Sequence, residues 1–228
     1  MREKILYALG ATAALYLVRN LYGMFMGLPD EAAQGAIYLI IFFHVPSWIT
    51  SFTGYLLAGV MSVLYLVKKD PKYDTLAVAL VEVSLAFTLI GLATGSIWAR
   101  IIWGIWWTWD ARLTWAFITC VLYAGYLMLR KSIDEPTQRA RLASVVGIFA
   151  FTSVAITWKA IEWWKTQHPG PVLSIRGADG AMDPDMERML MHNLLALMIL
   201  AGVLVAIRMR QEKQLREIEG LRRWAHSM

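Results

Sequence analysis

Six apolar runs of 17 or more residues, almost free of charge, constrain this chain more than any other feature. They extend from about Ile5 to Leu21, Trp48 to Val67, Thr75 to Trp98, Leu113 to Leu129, Leu142 to Trp158 and Met189 to Ile207. Each approaches the ~20 residues that cross a bilayer as an α-helix. A soluble domain of 228 residues has no interior to hide them, since 58% of the chain is hydrophobic and only 17% is charged. The expectation is an all-α polytopic membrane protein: one transmembrane unit over residues 1–228, six spanning helices and short amphipathic helices in the outer loops.

An even number of spans puts both termini on one side, and basic residues choose the side. Of the 22 Lys and Arg, fifteen fall in the N-terminus, the Lys68 to Asp74 loop, the Arg130 to Arg141 loop and the basic tail, residues 208–228. Those segments, and so both termini, are expected in the cytoplasm. The net charge of +5 then reflects topology, not a nucleic-acid footprint. The first span is read as a retained helix, because RNLYGMFMGLP is bulky where a signal-peptide cleavage site is small. The only cysteine, Cys120, lies inside the fourth span and reads as packing, which leaves no disulfide framework and no CxxC pair. There is no phosphate-cradling glycine loop and no nucleophile elbow.

The outer segments carry the distinctive chemistry. Residues 96–124 hold six of the eleven tryptophans around a lone aspartate, Asp110. As a helix, the stretch would set Trp103, Trp106, Trp107 and Asp110 on one face, with Trp109 and Arg112 on others, giving a membrane-parallel aromatic platform. An aromatic belt accounts for Trp48, Trp158, Trp163 and Trp164, but it has no use for the carboxylate in Trp106, Trp107, Trp109, Asp110. The first outer segment reads GAIYLIIFFHVPSW, and the whole of Ala36 to Val67 is too long for one straight crossing. Pro46 is therefore expected to bend the chain, leaving Ala36 to Val45 as a separate interfacial helix with His44 at its end. The third, Lys159 to Arg188, reads as a structured loop in which His168 also sits beside a proline break. Two imidazoles at the outer edge of the apolar zone, beside a tryptophan platform, are suited to the two axial positions of haem iron. Their alternative reading is a pair of hydrogen-bonded interfacial histidines.

At WGIWWTWDARLT followed by LYAGYLMLR the chain resembles the WWD family of haem-handling proteins that assemble c-type cytochromes. With HVP before that string and one histidine in each flanking outer loop, it is similar to the cytochrome c maturation protein C family (CcmC, haem exporter protein C) over most of its length. The resemblance implies His44 and His168 as axial haem ligands and the stretch Trp103 to Arg112, within the tryptophan-rich loop of residues 96–112, as the haem-contacting segment. It also implies haem b as transient, non-covalent cargo, bound at the periplasmic face of the bacterial inner membrane. The cargo would pass to a membrane-anchored haem chaperone, CcmE, beside the ABC-type subunits CcmA and CcmB and the small helical protein CcmD. Such a protein is a carrier, with at most lyase-like assistance to covalent haem attachment. The other function classes are a haem b electron-transfer subunit and a haem-free permease or assembly scaffold.

Several ionisable groups are read beside this. Arg100, Arg112, Lys165 and Arg176 are candidate partners for a propionate, guanidinium being suited to carboxylate. Asp110 either orders the tryptophan segment, accepts from a partner, or caps the fourth helix. Glu82, inside the third span, is expected to be protonated and hydrogen-bonded, since nothing basic is expected at its depth. His192, beside Asn193, reads as a polar interface residue, and His226 as solvated. The mixed charges of QEKQLREIEGLRRW read as an exposed helix facing anionic lipid or a cytoplasmic partner.

Overall fold

The structure, a computed structural model, describes residues 2–170 and 182–226, and its regular elements among these residues are all helical. They are α1 (Arg2–Gly27), α2 (Ile41–Lys68), α3 (Pro71–Ile102), α4 (Ala111–Lys131), α5 (Pro136–Trp163) and α6 (Pro184–His226), with a 3-10 turn at Ala36–Ile40 leading into α2. Each apolar run lies inside one of these helices, and all six are long and apolar enough to cross a membrane. The chain is a multi-pass membrane protein. Glu3 lies 3.6 Å from Arg210, so the start of α1 and the extension of α6 share one end of the bundle.

Helix starts follow the local sequence. Asp70 and Glu135 each precede a proline at the first helical position, where a missing N–H costs nothing, and each accepts backbone N–H groups of the first turn. Pro46 behaves differently from the expectation: α2 runs through it. It falls in the second turn of α2 and removes a single backbone donor, which is not enough to end a helix whose flanks are packed. The 33 residues from Ala36 to Lys68, about 50 Å at helical rise, project beyond the apolar layer instead of folding back. The turn comes earlier, at Gly35, whose φ of 62° is in the left-handed region that glycine enters freely.

Between the helices the core mixes apolar side chains such as Val81, Phe87 and Leu190 with many small and hydroxylated ones. In a lipid environment apolar burial gains little between helices, so close backbone approach and interhelical hydrogen bonds hold them together. Ser51 and Tyr55 of α2 meet Thr88 of α3 at 2.6 and 3.0 Å. Thr119 of α4 meets Ser153 and Thr157 of α5 at 3.0 and 3.1 Å. Tyr55 and Tyr123 stack face to face at the centre, ring centroids 3.7 Å apart.

The end of the bundle that carries the basic segments is fastened by charge. Arg130 of α4 reaches both carboxylate oxygens of Asp74 on α3, at 2.6 and 3.0 Å, and Glu212 of α6 at 3.4 Å. Arg216 joins Asp74 and Glu212 from the other side, and Arg139 of α5 pairs with Glu219 at 2.7 Å. The extension of α6 is thus a helix that is largely exposed, as its sequence suggests, and that is also fastened to three other helices through Glu212, Arg216 and Glu219. Glu82 pairs with Arg208. This corrects the expectation of a lone protonated group, because the packing of α6 against α3 sets the guanidinium that directly follows the sixth apolar run beside the carboxylate. Removing one member of a buried ion cluster strands the others, typically at about 3–5 kcal/mol. Asp74→Ala should therefore lower the thermal unfolding midpoint in detergent markedly; an unchanged midpoint would mean that the cluster adds nothing to stability.

Candidate functional site

At the opposite end of the bundle lies a cavity of about 440 Å³, within the ordinary size for small-ligand sites. Its wall is aromatic, with Trp48, Trp98, Trp103 and Trp107, and its polar groups include His44, His168, Arg112, Gln34, Thr157 and Glu31.

His44 lies in the first turn of α2, and α3 seats it. Gly91, Thr94 and Gly95 share one face of α3 by their spacing. A Cβ built on Gly91 would stand 2.7 Å from Trp48 Nε1, and one on Gly95 2.9 Å from His44 Cε1. These glycines let the α3 backbone approach so closely that Trp48 and His44 lie directly against it. The Nδ1 of His44 is 3.1 Å from the Thr94 hydroxyl, and its ring meets Trp48 edge-on.

His168 arrives from another part of the chain. It follows the end of α5, in a short irregular stretch, and its Nδ1 lies 2.8 Å from the Pro169 carbonyl, to which it donates. Asp110 ties this stretch to the tryptophan segment. One carboxylate oxygen accepts from the Leu113 N–H at 2.9 Å and caps α4, while the other accepts from the Gln167 N–H at 3.1 Å. The capping and ordering roles considered from sequence are both present, directed at different loops. Asp110→Asn keeps one acceptor for the cap and turns the other into a donor that the Gln167 N–H cannot use. It should leave α4 intact while raising amide hydrogen exchange around residues 165–170; unaltered exchange there would rule out the tether.

The two histidine rings lie with centroids 6.4 Å apart and planes inclined by 29°. That is wide for a stacking contact, but metal–nitrogen bonds of about 2 Å on each side of one ion set imidazole centroids about 6 Å apart. Both rings have Nδ1 engaged, and neither Nε2 has a hydrogen-bond partner among the described residues. Burial pushes the His168 imidazole below its ordinary value, and the Arg112 charge adds to the shift, against opposing effects of the Pro169 carbonyl and Asp110. The ring is therefore neutral at neutral pH, and acidification below its ordinary 6.5 is needed before protons compete for it.

The tryptophan segment is not the helix expected from its spacing. From Trp103 to Asp110 it is a turn followed by irregular chain, because Gly104 at φ 76° ends the helical run and the Arg100 guanidinium holds the Gly104 carbonyl across that turn. The side chains consequently divide. Trp103 and Trp107 line the cavity, whereas Trp106 and Trp109 are 59% and 72% exposed and do not. Trp109 packs edge-on against Trp107, and both meet Phe117. The indole N–H of Trp107 is buried with no partner among the described residues. Arg112 lines the cavity and donates to the Thr157 and Trp158 carbonyls at 2.9 and 3.3 Å. No carboxylate stands within ion-pair distance of it among the described residues. Lys165 is exposed, and Arg176 lies outside the described residues.

Away from the cavity, His192 is bonded to the Tyr16 hydroxyl between α1 and α6, as an interface residue. Trp163 and Trp164 are exposed neighbours that suit a belt. The His226 side chain lies outside those described. Trp48, expected in that belt, instead lines the cavity, as does Trp98, which donates to Gln34 at 2.7 Å. Neither Trp98 nor Gly91, Thr94 and Gly95 stands out by residue type, although small residues at spacings of three and four on a membrane helix are the signal of a close approach.

Comparison with known proteins is consistent along the whole chain. Residues 1–224 match the family described as CcmC, heme exporter protein C. The heme exporter protein C of Bradyrhizobium diazoefficiens is 33% identical over 226 residues, 97% of this chain and 83% of that protein. That of Paracoccus denitrificans is 32% identical over 213 residues, 92% and 87% of the two chains. That of Escherichia coli K12 is 31% identical over 182 residues, 80% and 73%. With a family match that reaches all six helices and the residues of the cavity, the chain belongs to the CcmC, heme exporter protein C, family.

Proposed function

We propose that this protein carries haem in cytochrome c maturation. It holds the macrocycle in the cavity as transient, non-covalent cargo between His44 and His168, at the extracytoplasmic rim of the inner membrane, and presents it to the haem chaperone CcmE. The observation that most supports this is the pair of imidazoles. They come from distant parts of the chain to the spacing that one metal ion requires, each with Nδ1 occupied and with no partner at Nε2 among the described residues. This is how metal-binding histidines are oriented, since the bond at one nitrogen fixes the ring and leaves the other for the metal.

The surroundings fit the same ligand. A flat apolar ring finds indole faces at Trp48, Trp103 and Trp107, and an anionic propionate finds the guanidinium of Arg112 and the Trp107 N–H, which have no carboxylate and no hydrogen-bond partner respectively among the described residues. Trp106 and Trp109, exposed beside the cavity, offer a partner an apolar surface at the haem edge. In this reading CcmA, CcmB and CcmD complete the assembly, the basic end of the bundle faces the cytoplasm, and the chain itself supplies binding and orientation without a catalytic group.

The test is spectroscopic. Purified from haem-replete cells, the protein should show a low-spin bis-imidazole haem, and His44→Ala and His168→Ala should each convert it to a different coordination state. The haem should leave when CcmE is added, whereas a fixed electron carrier would keep it. A low-spin spectrum persisting in both variants, or no Soret band at all, would overturn the assignment.

A further inference from the structure

We propose that Thr94 is a positioning residue that fixes the tautomer of His44 and so decides which of its ring nitrogens can bind metal. The hydroxyl of Thr94 has one proton. It is directed to the carbonyls of its own helix, that of Ile90 at 2.8 Å and that of Gly91 at 3.2 Å. Its oxygen can then meet His44 Nδ1, 3.1 Å away, only as an acceptor. With the Gly91 carbonyl also hydrogen-bonded to the ring, His44 is thereby protonated at Nδ1 and bare at Nε2. The position of Thr94 is no accident of packing, because Gly91 and Gly95 on the same face of α3 bring the two backbones together there.

His168 reaches the same state by another route: its Nδ1 faces the Pro169 carbonyl, which has no proton to give. Both ligand candidates are thus set alike, and by neutral acceptors. A carboxylate in that role would make Nε2 more basic and its metal bond stronger. A hydroxyl and an amide carbonyl fix the ring while leaving a bond that can be broken, which suits a carrier that must give its cargo away.

The proposal rests on the haem-carrier reading, and its test separates the two. In haem-free, full-length protein labelled with 15N in its histidine rings and held in lipid nanodiscs, the His44 signals should be those of the Nδ1–H form. Thr94→Val, equal in shape but without the oxygen, should convert His44 to the other tautomer or to a mixture, and Thr94→Ser should restore it. In haem-loaded protein, Thr94→Val should release haem to apomyoglobin on the order of 10-fold faster than wild type, with Thr94→Ser close to wild type. An Nε2–H signal in the wild type, or a Thr94→Val protein with unchanged tautomer and release while His44→Ala is impaired, would overturn the role of Thr94. Unchanged haem retention in His44→Ala would instead sink the haem reading beneath it.

Discussion

Replacing His44 or His168 with alanine should reduce covalent haem loading of CcmE by about 100-fold or more, since even the partners of metal ligands typically account for 10–100-fold and these would be the ligands themselves. Membrane insertion should be unaffected. His44 is half-buried against α3 and His168 sits outside the regular helices, so neither is part of the core that holds the bundle. The comparison that matters is with Trp163→Ala and Trp164→Ala, which remove equally large outer-rim side chains away from the cavity and should leave loading near normal. Immunoblotting for insertion and haem staining of CcmE give both readings from one culture. Normal loading in both histidine variants would remove the ligand pair.

Gly95→Val should be nearly as damaging without touching any group that binds haem. A Cβ at that position would lie 2.9 Å from His44 Cε1 and 3.4 Å from Nδ1, and the two methyl groups of valine would reach further into the ring. Either the imidazole rotates away or α2 and α3 separate, and both outcomes break the bond from His44 Nδ1 to the Thr94 hydroxyl oxygen. Haem retention should fall at least about 10-fold, the scale of losing a partner that orients a metal ligand. Gly125→Val and Gly202→Val are the controls, because a Cβ at either meets nothing within 4 Å. If Gly95→Val binds haem as well as these two do, the glycine seat has no part in the site.

The spans were legible because twenty apolar residues in a row leave a bilayer-crossing chain no alternative to helix. The basic segments were equally plain in number, yet what they do in the folded protein was not. The pairing of Glu82 with Arg208 depends on how α3 and α6 pack, which sets a guanidinium at the very end of one apolar run beside a carboxylate inside another, and hydropathy does not mark that packing. At the cavity, His44, His168, Arg112, Trp103 and Trp107 could be nominated from residue type and from the family likeness, and the structure gathers them round one space. The helical wheel misplaced Trp106 and Arg112, putting the first with the cavity residues and the second apart from them, because it assumed a helix that Gly104 interrupts. Pro46 misled in the opposite direction, as a breaker placed where a helix can absorb it. Gly91, Thr94 and Gly95 stayed unread because glycine and threonine are common in membrane spans, and only the other helix reveals what their smallness is for.

The two histidines are mounted on unlike supports. His44 belongs to a long helix and is wedged against a neighbouring backbone, while His168 stands on a short irregular stretch held by the bond between Asp110 and the Gln167 amide. Under the proposed ligand set, the grip has one fixed jaw and one hinged jaw. Unloading would then have a direction: His168 would be the side of the grip better placed to let go first, and His44 the side that would keep the cargo from escaping meanwhile.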